Sequence, residues 1–420
     1  MNVTAKYLIE TPINPEKAAL ILAGEQSTGT FVKLPGETDE IHSKHAAKVI
    51  SVELIQTVST PSLPFSIQSD NDSYNQAIVE IEYPILNFGY SLPNLITTLA
   101  GNLYELREFS GVRLLDFNVP NKFEEKYPSG KFAIKGTRKL MGVENRPIFG
   151  TIIKPSVGLP KEDYRYLIRN LAEAGLDFIK DDELTGNPLY FSFEDRVKVA
   201  MEEINRVAEQ TGKKTMYAFN ITDDIDQMKR NHDTVISHNG NCIMVSINSI
   251  GYSSIRELAN YSALPIHGHR NQWGAMTRHP LLGMNFTAYQ KICRLSGVDH
   301  LHTNGLNSKF AETNQSVTTS IKDCLKPIFK DDQVLPVLSS AQWAGSADPT
   351  YKAVQTTDLL HLAGGGILAH PSGVKAGVHS FIRSWEGTVN GEKFEDIIKK
   401  DKYVREAYEK FNQKGGLNNE

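Results

Sequence analysis

The stretch GLDFIKDDE, residues 175–183, sets an apolar strand pattern against an unusual run of charge: Leu176, Phe178 and Ile179 lead into Lys180 and then Asp181, Asp182 and Glu183. A charge taken out of water is costly unless it is paired or bound to a metal, so the run is either a solvated strand end or an ion site. Side chains alternate along a strand, which points Lys180 and Asp182 one way and Asp181 the other, with Glu183 joining the first pair only where the strand breaks into a loop. An ammonium has no lone pair to give a cation. Spacing alone leaves two arrangements open: a Lys180–Asp182 ion pair with no metal, or a CO2-carbamylated Lys180 that joins Asp182 and Glu183 as three hard oxygen ligands suited to Mg2+.

The elements that must position these residues are legible in the rest of the chain. Short apolar strands begin at IFGTIIKP, DFIKDDE, KTMYAFNIT, CIMVSINS, LPIHGHR, DHLHTNG, VLPVLSS and LLHLAGGGI, each followed by a helical stretch. In PKEDYRYLIRNLAEAG the apolar Tyr164, Leu167, Ile168 and Leu171 fall at i, i+3, i+4 and i+7, with Pro160 near the start and Gly175 just past the end. Eight βα units in series predict a closed parallel (β/α)8 TIM barrel, with an open doubly wound sheet as runner-up. A barrel carries its chemistry at the C-terminal strand ends. Those ends hold Lys154; Lys180, Asp182 and Glu183; Asn220; Asn248; His267, His269 and Arg270; His300 and His302, with Lys309 beyond; Ser339 and Ser340; and Gly364, Gly365 and Gly366.

The first part of the chain reads differently. AKYLIE, TGTFVKL, AKVISVEL, AIVEIEYPI and VRLLDFNV are β-branched strand patterns, with helices at NPEKAALILAGE and PNLITTLAGNLYEL, which predicts a ferredoxin-like α+β sandwich. The polar connector PNKFEEKYPSGKFAIKG ends it, giving an N-terminal domain over 1–130 and a barrel over 131–420. Composition narrows the function class. The net charge of −4 over 420 residues is small and scattered, so no nucleic acid and no membrane partner is expected, but a small molecule. Three cysteines without metal-ligand spacing suit a reducing compartment, and MNVTAKYLIETP has no signal-peptide core, so a cytoplasmic protein is expected. Trp343, the TMYAFN run, and His232, His238, His279, His361 and His379 read as packing or satisfied core and surface residues.

GLDFIKDDE matches G-x-D-F-x-K-x-D-E, the active-site signature of the ribulose-bisphosphate carboxylase (RuBisCO) superfamily, and further motifs follow in that family's order. The resemblance implies a carbamylated Lys180 that binds Mg2+ with Asp182 and Glu183. GTIIKPSVGL resembles the strand-one motif and implies that Lys154 moves the proton in enolisation. HGHRNQWGA, RLSGVDHLHTNG, LPVLSS and GGGILAHP imply roles for His269 and Arg270, His302, Ser339, and the phosphate-binding Gly365 and Gly366, with Lys309 at the mobile-loop lysine. GEQSTGTF and GNLYEL imply Glu25, Thr30 (followed by the aromatic Phe31) and Asn102 as substrate-binding residues, and Glu25 and Asn102 are implied to reach the barrel mouth of a second subunit, hence a homodimer or an assembly of dimers.

The departures from the carboxylase pattern are specific. Ser156 replaces a second strand-one lysine, Trp273 a second strand-five histidine and Ser340 a glycine, and NGLNSKFAE lacks the Gly-Lys-x-Glu-Gly pattern of the closing loop. A carboxylase uses that loop to enclose its gaseous substrate. The chain is therefore similar to the RuBisCO-like proteins. Methionine-salvage enolases in that group generally lack the counterparts of Arg270 and His302 and carry a lysine at Asn102. Retention of these residues, with Thr30, Gly365 and Gly366, favours a Mg-dependent decarboxylase or lyase of a branched phosphorylated oxo-acid such as 3-oxo-isoapionate 4-phosphate. A methionine-salvage enolase or isomerase, a true ribulose-bisphosphate carboxylase, and a non-catalytic phosphometabolite-binding regulator are the alternatives.

Overall fold

The computed structural model describes residues 1–29 and 34–412. It divides into two compact units, Met1–Pro128 with Gln272–Leu295, and Ser129–Asn271 with Ser296–Glu420. The first unit holds β1 (Asn2–Thr11), β2 (Lys48–Val58), β3 (Tyr74–Pro84) and β4 (Gly111–Asn118), with helices over Pro15–Glu25 and Leu92–Ala100. The second holds β5 (Ile148–Ile152), β6 (Phe178–Lys180), β7 (Met216–Asn220), β8 (Cys242–Ser246) and β9 (Ile266–His269), and later β11 (His300–His302), β12 (Leu335–Leu338) and β13 (Leu360–Leu362). Between these runs, β10 (Leu282–Met284) belongs to the first unit.

The first unit is a five-stranded sheet in the order β10-β4-β1-β3-β2, and its β-α-β-β-α-β core is the ferredoxin-like arrangement. Alternation along β1 and β3 turns Val3, Ala5, Tyr7 and Ile9, and Ala77, Val79 and Ile81, to the covered face. The strand expected over TGTFVKL falls largely on residues 30–33, outside the described residues. A helix at Asp39–His45, capped by the Thr38 hydroxyl, was not foreseen.

A division at residue 130 differs from these units in one segment, and Arg113 of β4 supplies the physical reason. Its guanidinium donates to the carbonyls of Thr277, His279 and Leu282 and to Asn285 Oδ1, while Leu282–Met284 pairs in parallel with Val112–Leu114. One β4 side chain thus satisfies the backbone of an excursion more than 150 residues away in sequence.

The second unit closes as an eight-stranded parallel barrel, β11-β12-β13-β5-β6-β7-β8-β9, with the final seam between β9 and β11. Ile148, Ile152, Phe178, Met216, Ala218, Met244, Leu335, Val337, Leu360 and Leu362 form its apolar core. The helix Ala133–Met141 reaches that core through Met141 and is seated at its start by Asp299, whose carboxylate accepts from the backbone N–H groups of Phe132 and Ala133 and of Ile266.

Asp181 follows the alternation expected of it. It faces away from Lys180, accepting hydrogen bonds from the Tyr217 hydroxyl at 2.6 Å, the Asn220 N–H at 2.9 Å and Arg196 Nε at 3.2 Å. Asp181 and Arg196 are both almost wholly buried, so each is the other's main charge partner. Breaking a buried pair strands a desolvated charge at a cost of about 3–5 kcal/mol. Asp181→Ala is expected to lower unfolding stability by that amount in urea titrations; a loss below about 1 kcal/mol would show that the pair does not anchor β6.

Candidate active site

The carboxyl ends of the barrel strands gather the charged residues. Lys180 stands in register with Ile152 and Ala218, two members of the apolar core, and is fully buried. Its ammonium donates to the Asp181 carbonyl at 2.7 Å and lies 3.5 Å from Glu183 Oε2. Burial drives its pKa down, and the facing carboxylates only partly restore it. Asp182 is engaged from another side: its Oδ2 lies 2.5 Å from Lys154 Nζ, which also donates to Ser156 Oγ at 2.9 Å. The Lys180–Asp182 pair that spacing left open is therefore replaced by two pairs, Lys154–Asp182 and Lys180–Glu183. The backbone of both acids is held by Asn220, whose amide donates to the Asp182 and Glu183 carbonyls.

Glu183 also faces His269, with Nε2 to Oε2 at 3.5 Å. Burial opposes the Glu183 carboxylate, but the charges of His269 and Lys180 outweigh it and hold the pKa at about 2. Burial, with Lys180 nearby, lowers His269 to about 4. The His269 and His302 rings stand 4.4 Å apart, and His302 Nδ1 lies 3.2 Å from Ser339 Oγ. Lys154, Lys180, Asp182, Glu183, His269, His302 and Ser339 thus form one connected cluster.

The other expected site residues have settings of their own. Arg270 is paired at 2.8 Å with Glu312, which is itself held by Asn304 and Ser316. Lys309 is exposed and rests over the Phe310 ring, 5.4 Å from its centroid. Gly365 opens the short helix after β13 with free space where a side chain would stand, whereas a Cβ on Gly366 would meet the Gln342 carbonyl. Glu25 ends one helix of the first unit and Asn102 begins a 3-10 turn there. Thr30 and Phe31 lie outside the described residues. At the departures, Trp273 packs on Tyr289 and Phe286, and Ser340 and Ala341 take left-handed φ angles of 74° and 54°, a conformation glycine adopts without strain. The grip of Glu312 on Arg270 and of Asn220 on the acidic loop was missed, since both depend on where loops settle. Only the strand-end position of Asn220 signalled it.

The donor set decides whether a hard cation fits. No cluster of three or more His, Cys, Asp and Glu among the described residues is arranged to hold a metal. Asp182 and Glu183 leave a third oxygen to be supplied, and a buried amine of depressed pKa beside them is the group that CO2 converts into one. The residues fit a Mg2+ site in which a carbamate on Lys180 would join Asp182 and Glu183 as ligands.

Residues 133–411 match the model of the ribulose bisphosphate carboxylase large chain catalytic domain, and residues 2–123 that of its N-terminal domain. The chain belongs to the RuBisCO large-chain family. Within it, the chain is 45% identical over 407 residues to a 3-oxo-isoapionate-4-phosphate transcarboxylase/hydrolase of Xanthobacter autotrophicus, covering 96% of this chain and 98% of the relative. It is 42% identical over 392 residues to a 3-oxo-isoapionate-4-phosphate decarboxylase of Rhizobium rhizogenes, covering 93% of each. A crystal structure of a rubisco-like protein from Burkholderia fungorum superimposes with a TM-score of 0.91 at 41% identity, covering 98% of this chain and all of that one. No helix among the described residues is long and apolar enough to cross a membrane.

The RuBisCO barrel here holds several histidines whose burial has a consequence for stability. Burial lowers His300 and His361 to about 3, and His267 and His302 well below the usual histidine value. These rings stay neutral when folded and take up protons when unfolded, so their contribution is intact above about pH 6.5 and is lost as pH falls toward 3. Each costs about 1.4 kcal/mol per pH unit in that window. Asp299, raised by burial to about 6, acts in the opposite direction between its ordinary value and 6 and offsets one of them. With His269 as a fifth such ring, unfolding free energies from urea titrations between pH 7.5 and 5 should fall with a slope of roughly 5–6 kcal/mol per unit below pH 6; a flat profile would contradict the buried, neutral assignment.

Proposed function

We propose that this protein cleaves the bond between the carboxyl carbon and C2 of 3-oxo-isoapionate 4-phosphate, releasing CO2 and leaving an enediolate. The observation that carries the reading is the buried Lys180 amine set against Asp182 and Glu183 beside Lys154, His269 and His302, in a chain 40–45% identical over nearly its whole length to enzymes named for that substrate. The RuBisCO superfamily generally uses Mg2+ and a carbamylated lysine. Mg2+ held here by the Lys180 carbamate, Asp182 and Glu183 would supply Lewis-acid polarisation of the C3 ketone.

The chain's own residues do the rest. A 3-oxo acid carries its ketone β to the carboxylate, so the electron pair released with CO2 passes into the C2–C3 bond as an enediolate, and C2 must then gain a proton. Lys154, with its ammonium at the mouth beside Asp182 and Ser156, is the donor. His269 and His302 line the same mouth, and Ser339 adds a hydroxyl. The phosphate is read by backbone N–H groups around Gly365 and Gly366, and the second anionic end by Arg270, once it competes with Glu312 for the guanidinium. Lys309 and Thr30 complete the set of ligand-binding residues that the family resemblance implies. Glu25 and Asn102 reach the mouth of a second subunit, which makes the working unit a homodimer. The chain acts in the cytoplasm.

One relative is a transcarboxylase/hydrolase and others are decarboxylases, so transfer of the carboxyl group is the second reading. Substrate labelled with 13C at the carboxyl carbon separates the two. With Mg2+ and bicarbonate present, label is expected in CO2, and Lys180→Ala should cut turnover by at least about 10³-fold. Label retained in an organic product would select transfer, and unchanged turnover in Lys180→Ala would end the mechanism. Ribulose bisphosphate with 14CO2 should give no fixed product.

A further inference from the structure

The barrel interior carries a polar chain whose deeper members, Thr137, His267 and His300, the mechanism above does not use. His267 and His300 take core positions, in register with Met244 and with Leu335. The contacts run Thr137 Oγ1 to His300 Nε2 at 2.8 Å, His300 Nδ1 to His267 Nδ1 at 3.4 Å, His267 Nε2 to His302 Nε2 at 2.8 Å, and His302 Nδ1 to Ser339 Oγ at 3.2 Å. Thr137, His267 and His300 are fully buried and His302 nearly so.

Donor and acceptor roles along this chain follow from one end. Thr137 has a single hydroxyl proton and gives it to the Ala133 carbonyl at 2.6 Å, so its oxygen must accept from His300 Nε2–H. A neutral imidazole carries one N–H, which leaves His300 Nδ1 as acceptor for His267 Nδ1–H. His267 Nε2 then accepts from His302 Nε2–H. His302 Nδ1 is left with a lone pair, and Ser339 donates its hydroxyl proton to it. The neutral state assumed at each ring agrees with the effect of burial on all three. The neighbouring His269 is set the other way round for the mouth: its Nδ1 accepts from the Asn271 N–H at 3.2 Å, so its proton sits on Nε2, facing Glu183.

We propose that Thr137, His300 and His267 are positioning residues that lock His302 as the Nε2–H tautomer, so that its Nδ1 always takes the Ser339 hydroxyl proton and the Ser339 oxygen is left as an acceptor at the mouth, beside the His269 Nε2–H that faces Glu183. A His302 free to exchange tautomers would turn the Ser339 hydroxyl from acceptor to donor toward the substrate part of the time. The consequence for turnover rests on the decarboxylase reading; the tautomer pattern does not.

Nitrogen-15 imidazole spectra of the resting, full-length protein read the pattern directly. His300 and His302 are expected as Nε2–H and His267 as Nδ1–H. His267→Gln keeps an amide oxygen to accept from His302 and should retain the His302 signature, whereas His267→Leu should give His302 mixed or Nδ1–H character. Thr137→Val, which removes the anchor with little change of volume, should loosen the assignment of His300 and His267. With the 3-oxo acid phosphate as probe, kcat should fall at least tenfold in His267→Leu with KM changed less than threefold, and recover in His267→Gln. Nδ1–H at His302 in the wild type, or an unchanged His302 signature in both His267→Leu and Thr137→Val, would overturn the proposal. So would equal losses of kcat in the Leu and Gln variants. Should His267→Leu fail to fold, the wild-type and Thr137→Val spectra decide. Absence of turnover with the expected spectra would count against the substrate, not against the chain of tautomers.

Discussion

The burial of one amine organises the catalytic end of this molecule. Lys180 occupies a barrel-core row between Ile152 and Ala218, where an ammonium loses its hydration and regains little of it. Its nearest carboxylate, Glu183, stands at 3.5 Å, while Asp182 lies against Lys154 at 2.5 Å. The two lysines and two acids balance in formal charge, but the buried one is the less well paid of the two. Burial therefore shifts Lys180 toward the neutral amine, which is the form that reacts with CO2. The same feature that looks like a defect in a static ion pair would, on the proposed function, let the site acquire a third oxygen ligand.

Such an arrangement survives only if the acidic loop cannot relax toward the amine. Three contacts prevent it: Asp181 turned outward onto Arg196 and Tyr217, Asn220 holding the Asp182 and Glu183 carbonyls, and Thr185 donating to the Ser156 carbonyl. The histidine chain deeper in the barrel follows the same logic. Its rings replace apolar core residues at an energetic cost, and each polar atom along it has a partner, which is the condition under which a buried polar network rigidifies instead of weakening a core.

Much of this was legible in the sequence because parallel-barrel geometry is periodic. The eight strands of the barrel fell where their apolar runs lay, strand alternation correctly sent Asp181 away from Lys180, and the ends of the strands held the clustered residues. What escaped was non-periodic. Leu282–Met284 has three residues and no β-branched side chain, so only its pairing with β4 and the reach of Arg113 mark it as a strand of the first unit. The partner of Lys180 was equally hidden: alternation predicts direction but not which of two carboxylates a second lysine, from another strand, will claim. His267 and His300 were in phase with His269 and His302, yet no spacing rule says that rings on adjacent strands will meet nitrogen to nitrogen.

The departures from the carboxylase pattern gain meaning against this geometry. Trp273 is committed to aromatic packing with Tyr289, Lys309 lies exposed over Phe310, and Ser340 holds a backbone conformation that glycine would adopt more easily. Adding CO2 to an enediolate requires holding a weakly bound gas and stabilising a carboxylate where none existed, so it depends on a closing loop and on extra cations. Breaking the same bond starts from a carboxylate that arrives tethered to the substrate and ends with a gas that must escape. The second task needs a polarised ketone and a proton donor, the parts that the proposed function assigns to the groups around Lys180 and Lys154, and tolerates the loss of the rest. The pattern of what is kept and what is lost thus follows the direction in which the carbon–carbon bond is made to run.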